Sequence, residues 1–274
     1  MNHWDLDDID WQAFDRSSVD PDMVRIVKAA SLVEYNGDLY GRYLANIFAG
    51  DDAFVAAAGI WATEEVRHGV ALGRWATMVD PAWDFEAARE RFRSEYNQVD
   101  LSLEHSVRGS RFSELVARCI VEVGTSSYYT ALADATQEPV LREIFRKIAA
   151  DEFRHYKLFY DHMKRYRAID NPNLLTRVRV AVTRLAESED DELAFAYYIA
   201  NDVPAPYNRK TCAAAYGSRA LPHYRRNHIR LAVNMTTKAM GLKPKSRLAA
   251  LIAWVVCRLF DWRRQRLLRQ APAY

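Results

Sequence analysis

Two short stretches carry the residue types that can do chemistry: Glu-Glu-Val-Arg-His-Gly at 64–69 and Asp-Glu-Phe-Arg-His at 151–155. Each places a glutamate three positions before a histidine, with an acid just before the glutamate and an arginine just before the histidine. On an α-helix, residues i and i+3 share a face, so Glu65 with His68, and Glu152 with His155, can grip one cation. A single pair of this kind also makes an ordinary surface hydrogen bond. Of the seven histidines, however, only these two have glutamate at i−3.

The surroundings repeat as well. Glu34, in AASLVEYNG, precedes Glu65 by 31 residues, and Glu122, in VARCIVEVGTSS, precedes Glu152 by 30. Both are lone acids among core-like neighbours, and a buried carboxylate needs a cation or a proton to share. The chain therefore contains the same two-helix unit twice. Paired as an antiparallel four-helix bundle, the units deliver four carboxylates and two imidazoles to the centre, which is the donor set of a dinuclear metal site. Oxygen donors with one nitrogen per metal suit iron or manganese better than zinc. The Glu-x-x-His glutamates, Glu65 and Glu152, are best placed to bridge two ions, leaving Glu34 and Glu122 as terminal ligands. The competing reading is six satisfied polar groups in an ordinary bundle, which desolvation makes expensive.

The elements that must position these groups are helical. Glycine and proline are scarce before residue 170, and apolar residues recur at spacings of three and four. The pattern predicts helices near 19–49, 52–78, 84–105, 111–136 and 138–168. Beyond them it predicts a helix at 174–187, an acidic stretch from Glu187 to Glu192, a short helix, a loop through VPAPYNRK, and helices near 222–240 and 245–269. Two regions follow: a bundle over 1–170 and a helical extension over 171–274.

Half of the 274 residues are apolar, enough for a sizeable core. Three scattered cysteines argue against a disulfide framework or a thiolate zinc site. The acidic N-terminus lacks a basic and then apolar leader, and the longest apolar run, Leu248 to Cys257, is about half of what a membrane span needs. A cytoplasmic protein is expected. The net charge of +2 hides a split: residues 203–274 carry 15 lysines and arginines against one acid, Asp261, leaving 23 basic against 35 acidic residues before them. Such a basic end suits an acidic carrier protein, an anionic membrane surface or nucleic acid, or is simply a solvated face.

The two motifs resemble the EExRHG and DExRH motifs of the soluble acyl-acyl carrier protein desaturases, within the ferritin-like di-iron superfamily. Glu122-Val-Gly-Thr125 resembles that family's Glu-x-x-Thr. The resemblance covers roughly residues 25–165 and implies a ferritin-like bundle holding two irons, with a mixed manganese–iron pair compatible with the same donors. It further implies that Thr125 aids proton delivery, that Asp151 hydrogen-bonds a ligand histidine, and that an external donor such as ferredoxin supplies electrons. An acidic acyl carrier protein would meet the basic region, and a homodimer is expected.

The chemistry that follows is oxygen-dependent hydrogen abstraction from an acyl chain. Hydroxylation or N-oxygenation of another substrate, including a tRNA base, is the alternative, as is ferroxidase or peroxide-handling activity. The long extension and the absence of a rubredoxin-like cysteine set weigh against the last of these, and a nucleic-acid partner is not favoured. Ala30, Gly37, Gly69, Gly124 and Thr125 either leave space for oxygen and substrate or permit close helix packing. Trp61, Tyr156 and Cys119, each one turn from a ligand, read as core. The stripe Leu251, Val255, Leu259 and Trp262 is expected to cap the bundle or form a dimer interface, with a membrane surface as the alternative.

Overall fold

The computed structural model describes residues 3–96, 100–187 and 191–270. Among them there is no strand, and the helices are α1 (Pro21–Tyr35), α2 (Gly37–Ile47), α3 (Asp52–Val79), α4 (Phe85–Glu95), α5 (Arg111–Ala135), α6 (Pro139–Tyr166), α7 (Leu174–Glu187), α8 (Asp191–Ala200), α9 (Arg209–Ala220), α10 (Arg226–Ala239) and α11 (Arg247–Gln270). Side chains placed just before the first turns fix the starts of the bundle helices. Asp20 caps α1, Asp51 caps α3, Ser110 caps α5 and Glu138 caps α6, each accepting from a backbone N–H that has no helical partner. Pro21 and Pro139 occupy first-turn positions where no N–H is needed.

The bundle is formed by α1, α3, α5 and α6, and neighbouring helices run antiparallel. Trp75, near the end of α3, donates to Glu138 at the start of α6 (2.7 Å), while Phe54, at the start of α3, packs on Phe159 near the end of α6. The core lies in two layers. One joins Met23 and Ile26 of α1, Leu72 and Trp75 of α3, Leu132 of α5 and Ile144 of α6. The other joins Leu44 of α2, Phe54 and Trp61 of α3, Leu115 and Cys119 of α5, and Phe159 of α6. Where the layers meet stand the buried polar residues Glu65 and His68 of α3, Glu122 and Ser126 of α5, and Asp151, Glu152 and His155 of α6.

Several boundaries depart from the sequence expectation. The helix predicted over 19–49 is broken at Asn36, whose N–H turns back to Val33 and whose side chain is held by Arg93 of α4 and Glu192 of α8. The helix predicted over 84–105 stops at Glu95; within that range, 97–99 lie outside the described residues, as do 188–190 of the predicted acidic stretch. The unforeseen helix α9 begins at Arg209, inside the expected loop VPAPYNRK, capped by Asn208, and α10 begins at Arg226 rather than near 222 because Leu221-Pro222-His223 forms a 3-10 turn. Part of the extension shares the bundle core, since Phe195, Tyr197 and Tyr216 of α8 and α9 join the first layer, while Ile229 and Val233 of α10 with Ala253 and Cys257 of α11 form a small cluster of their own.

The stripe through Leu251, Val255, Leu259 and Trp262 does not cap the bundle. It is exposed, and the face of α11 that packs inward carries the smaller Ala249, Ala253 and Cys257.

A fully buried acid ties this frame together. Glu138 accepts from Trp75, from the α6 backbone at Leu141 and from the N-terminal arm at Asp15. Glu138→Ala leaves three buried donors unmet and should cost about 3 kcal/mol of unfolding free energy. Urea denaturation reads this, and a loss below about 1 kcal/mol would show the network to be idle.

Candidate metal centre

The six residues singled out by spacing converge. Glu34, Glu65, His68 and Glu152 offer ligand atoms within 4.8 Å of one another, and so do Glu65, Glu122, Glu152 and His155. Glu65 and Glu152 belong to both groups; Glu34 with His68, and Glu122 with His155, each belong to one. All six are buried. His68 Nδ1 lies 3.3 Å from Glu152 Oε1 and 3.6 Å from Glu34 Oε2. On the other side, His155 Nδ1 lies 2.9 Å from Glu65 Oε1 and 3.5 Å from Glu122 Oε2.

The donor set fits a pair of cations. Glu34 Oε2, Glu65 Oε1, both carboxylate oxygens of Glu122, Glu152 Oε1 and the Nδ1 atoms of both histidines are buried without a hydrogen-bond partner. Buried polar atoms are rarely left so, and these seven converge on one cluster. Even two protonated imidazoles would leave four buried carboxylates with an excess of negative charge, which two divalent ions would balance. The strain shows in the proton affinities. Burial, then the neighbouring Glu152 charge, pushes the Glu122 carboxyl up to about 8 and Glu65 well above its usual range. His68 and His155 are raised despite burial, because carboxylates surround both rings.

The outward nitrogens are held by acids from the opposite helix. His68 Nε2 lies 3.1 Å from Asp151 Oδ2, and His155 Nε2 lies 2.7 Å from Glu64 Oε2. The two motifs thus serve each other: the acid before the glutamate on α6 orients the histidine of α3, and the reverse. Arg154 joins the pair, bonding Asp151 through Nη2 and reaching Glu64 at 3.4 Å through Nη1.

Glu64 has the same place as Asp151 but no role was assigned to it from sequence; its signal was the matched acid at the head of each motif. The N-terminal arm completes this layer. Trp4 donates to Asp151 (2.8 Å) and stacks 6.0 Å from the His68 ring, and His3 pairs with Glu64. Nothing in the spacing of residues 3 and 4 announced this.

Thr125 donates to Glu152 Oε2 at 2.6 Å, from a half-buried position on α5. Tyr129, one turn further, donates to Glu34 Oε1 at 2.5 Å, another contact not foreseen. The small residues divide. A Cβ at Gly37 would fall on Glu65 itself, and one at Gly69 would come within 2.6 Å of the Tyr35 backbone nitrogen, so both permit close helix approach. At Gly124 a Cβ would meet nothing within 4 Å, so the space is beside Thr125. Ala30 and Cys119 are core, Trp61 packs edge-on to His155, and Tyr156 donates to the Met235 carbonyl of α10.

Residues 114–202 match a family model described as rubrerythrin, a stretch that contains α5 and α6 with Glu122, Glu152 and His155. Two curated relatives, described as putative acyl-[acyl-carrier-protein] desaturase DesA1 from two strains of Mycobacterium tuberculosis (CDC 1551 / Oshkosh and ATCC 25618 / H37Rv), are each 27% identical over 169 residues. The matches cover 58% of this chain and 48% of each relative, so the chain spans about half the length of the curated relatives it matches. With the all-helical bundle, these similarities support the resemblance to the soluble acyl-acyl carrier protein desaturases and to the ferritin-like di-iron superfamily.

Proposed function

We propose that this chain is an oxygen-dependent di-iron oxidoreductase that removes hydrogen from an acyl chain, as a desaturase acting on a thioester-linked substrate. The observation that carries the reading is the pair of overlapping ligand groups sharing Glu65 and Glu152, with their unpartnered oxygens and nitrogens turned toward one point. Glu34, Glu65 and His68 with Glu152 would hold one iron, and Glu122 and His155 with the same two shared glutamates the other. A bound ferrous pair supplies two electrons to dioxygen and, with two more from a ferredoxin-like donor, the oxidising power to attack an unactivated C–H bond.

The chain's own residues arrange the rest. Asp151 and Glu64 accept from the Nε2–H of His68 and His155, which fixes the tautomer that points the Nδ1 lone pair inward. Thr125, next to the exposed Gly124, holds a proton 2.6 Å from a carboxylate oxygen of Glu152. The apolar layers above and below exclude water from the polar seam. The printed name of the relatives supports a carrier thioester as substrate, and the basic balance of residues 203–274 suits an acidic partner.

The test is the iron-loaded protein with reduced ferredoxin, oxygen and a panel of acyl carrier thioesters. An unsaturated product is expected, and Thr125→Val should retain two ions per chain while slowing product formation about 10²-fold. A full set of unreacted acyl chains would sink the substrate class, and an unchanged rate would remove Thr125 from the proton path.

A further inference from the structure

Among the described residues, α11 carries more exposed large apolar side chains than any other helix. Leu248, Leu251, Trp254, Val255, Leu259 and Trp262 lie on one side of the helix, and each is at least 42% exposed. Together they form a stripe about 21 Å long. Arginines accompany it: Arg226 and Arg230 of α10 line, with Trp254 and Arg258, the groove between the two helices, Arg258 stands on the stripe itself one turn from both Trp254 and Trp262, and Arg266 and Arg269 stand exposed beyond Trp262. The single acid of this region, Asp261, lies 3.8 Å from Arg264 of its own helix. Among the described residues no helix is long and apolar enough to cross a membrane.

We infer that α11 and the adjoining edge of α10 form a docking face for an anionic lipid bilayer, with α11 lying in the plane of the headgroups. The inference is independent of the reaction at the metal centre. A helix with large apolar side chains, two of them tryptophan, on one side, with Arg258 among them and further arginines beside and beyond them, suits an interface with lipid, since the apolar groups enter the acyl boundary while the long guanidinium side chains reach lipid phosphates. Charge selects this occupant over a second copy of the chain. An interface between two identical faces would bring arginine against arginine, with Asp261 already engaged by Arg264. An acidic protein would answer the arginines but would have to supply an apolar groove for two tryptophans as well.

The test uses the full chain with sedimenting vesicles of phosphatidylcholine alone or mixed with phosphatidylglycerol. Binding to the mixed vesicles is expected, with a blue shift of tryptophan fluorescence, and no sedimentation with phosphatidylcholine alone. Trp254→Ala/Trp262→Ala and, separately, Arg226→Glu/Arg258→Glu should each reduce partitioning about tenfold or more, and raised salt should weaken it. These side chains are exposed, so helix content by circular dichroism and metal content should stay as in the parent chain.

Three results would overturn the inference. One is equal partitioning of parent and double variants. Another is a dimer in solution that dissociates when Trp254 and Trp262 are replaced. The third is absence of vesicle binding together with capture of an acyl carrier protein that the same variants abolish.

Discussion

Glu152→Ala is expected to strip the purified protein of both ions, whereas Glu122→Ala should leave about one ion per chain. The difference follows from the overlap of the two ligand groups. Glu152 contributes to both, with Oε1 facing His68 and Oε2 facing His155. Removing it takes an anionic donor from each cation at once and leaves Thr125 without its acceptor. Glu122 belongs to one group, and the other keeps Glu34, Glu65, His68 and Glu152 after its loss. Metal analysis after loading with ferrous iron gives the answer directly. Near-equal stoichiometry in the two variants would show that the shared position of Glu152 is not a bridging one, and two ions bound to Glu122→Ala would refute its role as ligand. Far-ultraviolet circular dichroism guards against a folding defect, and the variants should keep their helix content.

The second large effect concerns the acids beside the histidines. Asp151→Ala and Glu64→Ala should each weaken metal binding by about 10- to 100-fold, the usual cost of losing the group that orients a ligand imidazole. The crossing of these contacts makes a sharper statement. Asp151 serves His68, and Glu64 serves His155, each from the opposite helix. Asp151→Ala should therefore weaken the ion beside Glu34, and Glu64→Ala the ion beside Glu122. Cobalt titration followed by absorption separates the two steps. In double variants, Glu64→Ala should add almost nothing to Glu122→Ala but should add fully to Glu34→Ala. The reverse pattern would mean that each acid acts within its own motif. Because Arg154 touches both acids, its own replacement should disturb both steps together.

The distribution of what was readable follows the physics of each contact. The helices α3, α5 and α6 and the six candidate ligand residues were legible because each depends on neighbours along the chain: the 3.6-residue period, and Glu and His three apart on one face. The repeat of about thirty residues added the one long-range fact, that two such helix pairs exist to be brought together. The expectation that Glu65 and Glu152 are best placed to bridge two ions agrees with their membership of both ligand groups.

Other features depend on how helices sit against one another, and spacing does not encode that. The break at Asn36, where Arg93 and Glu192 hold the asparagine side chain, and the need for glycine at 37, where a Cβ would fall on Glu65, both depend on elements packed from elsewhere in the chain. The crossing of Asp151 and Glu64 requires the antiparallel register of α3 on α6. Trp4 and His3 reach the site only because the N-terminal arm folds back over those two helices, and Tyr129 finds Glu34 across the bundle, 95 residues away in sequence.

The amphipathic character of α11 was plain in the sequence, but which side faces inward was not. Small residues let α11 approach α9 and α10 closely, so Ala249, Ala253 and Cys257 took the packing face and the larger leucines and tryptophans were left outside. The sequence alone thus determined the chemical inventory of this protein, because donor type and helical phase are local properties. Only the tertiary structure decided which donors meet, which acids steer them and which surface stays uncovered, because these are set by the relative placement of elements far apart in the chain.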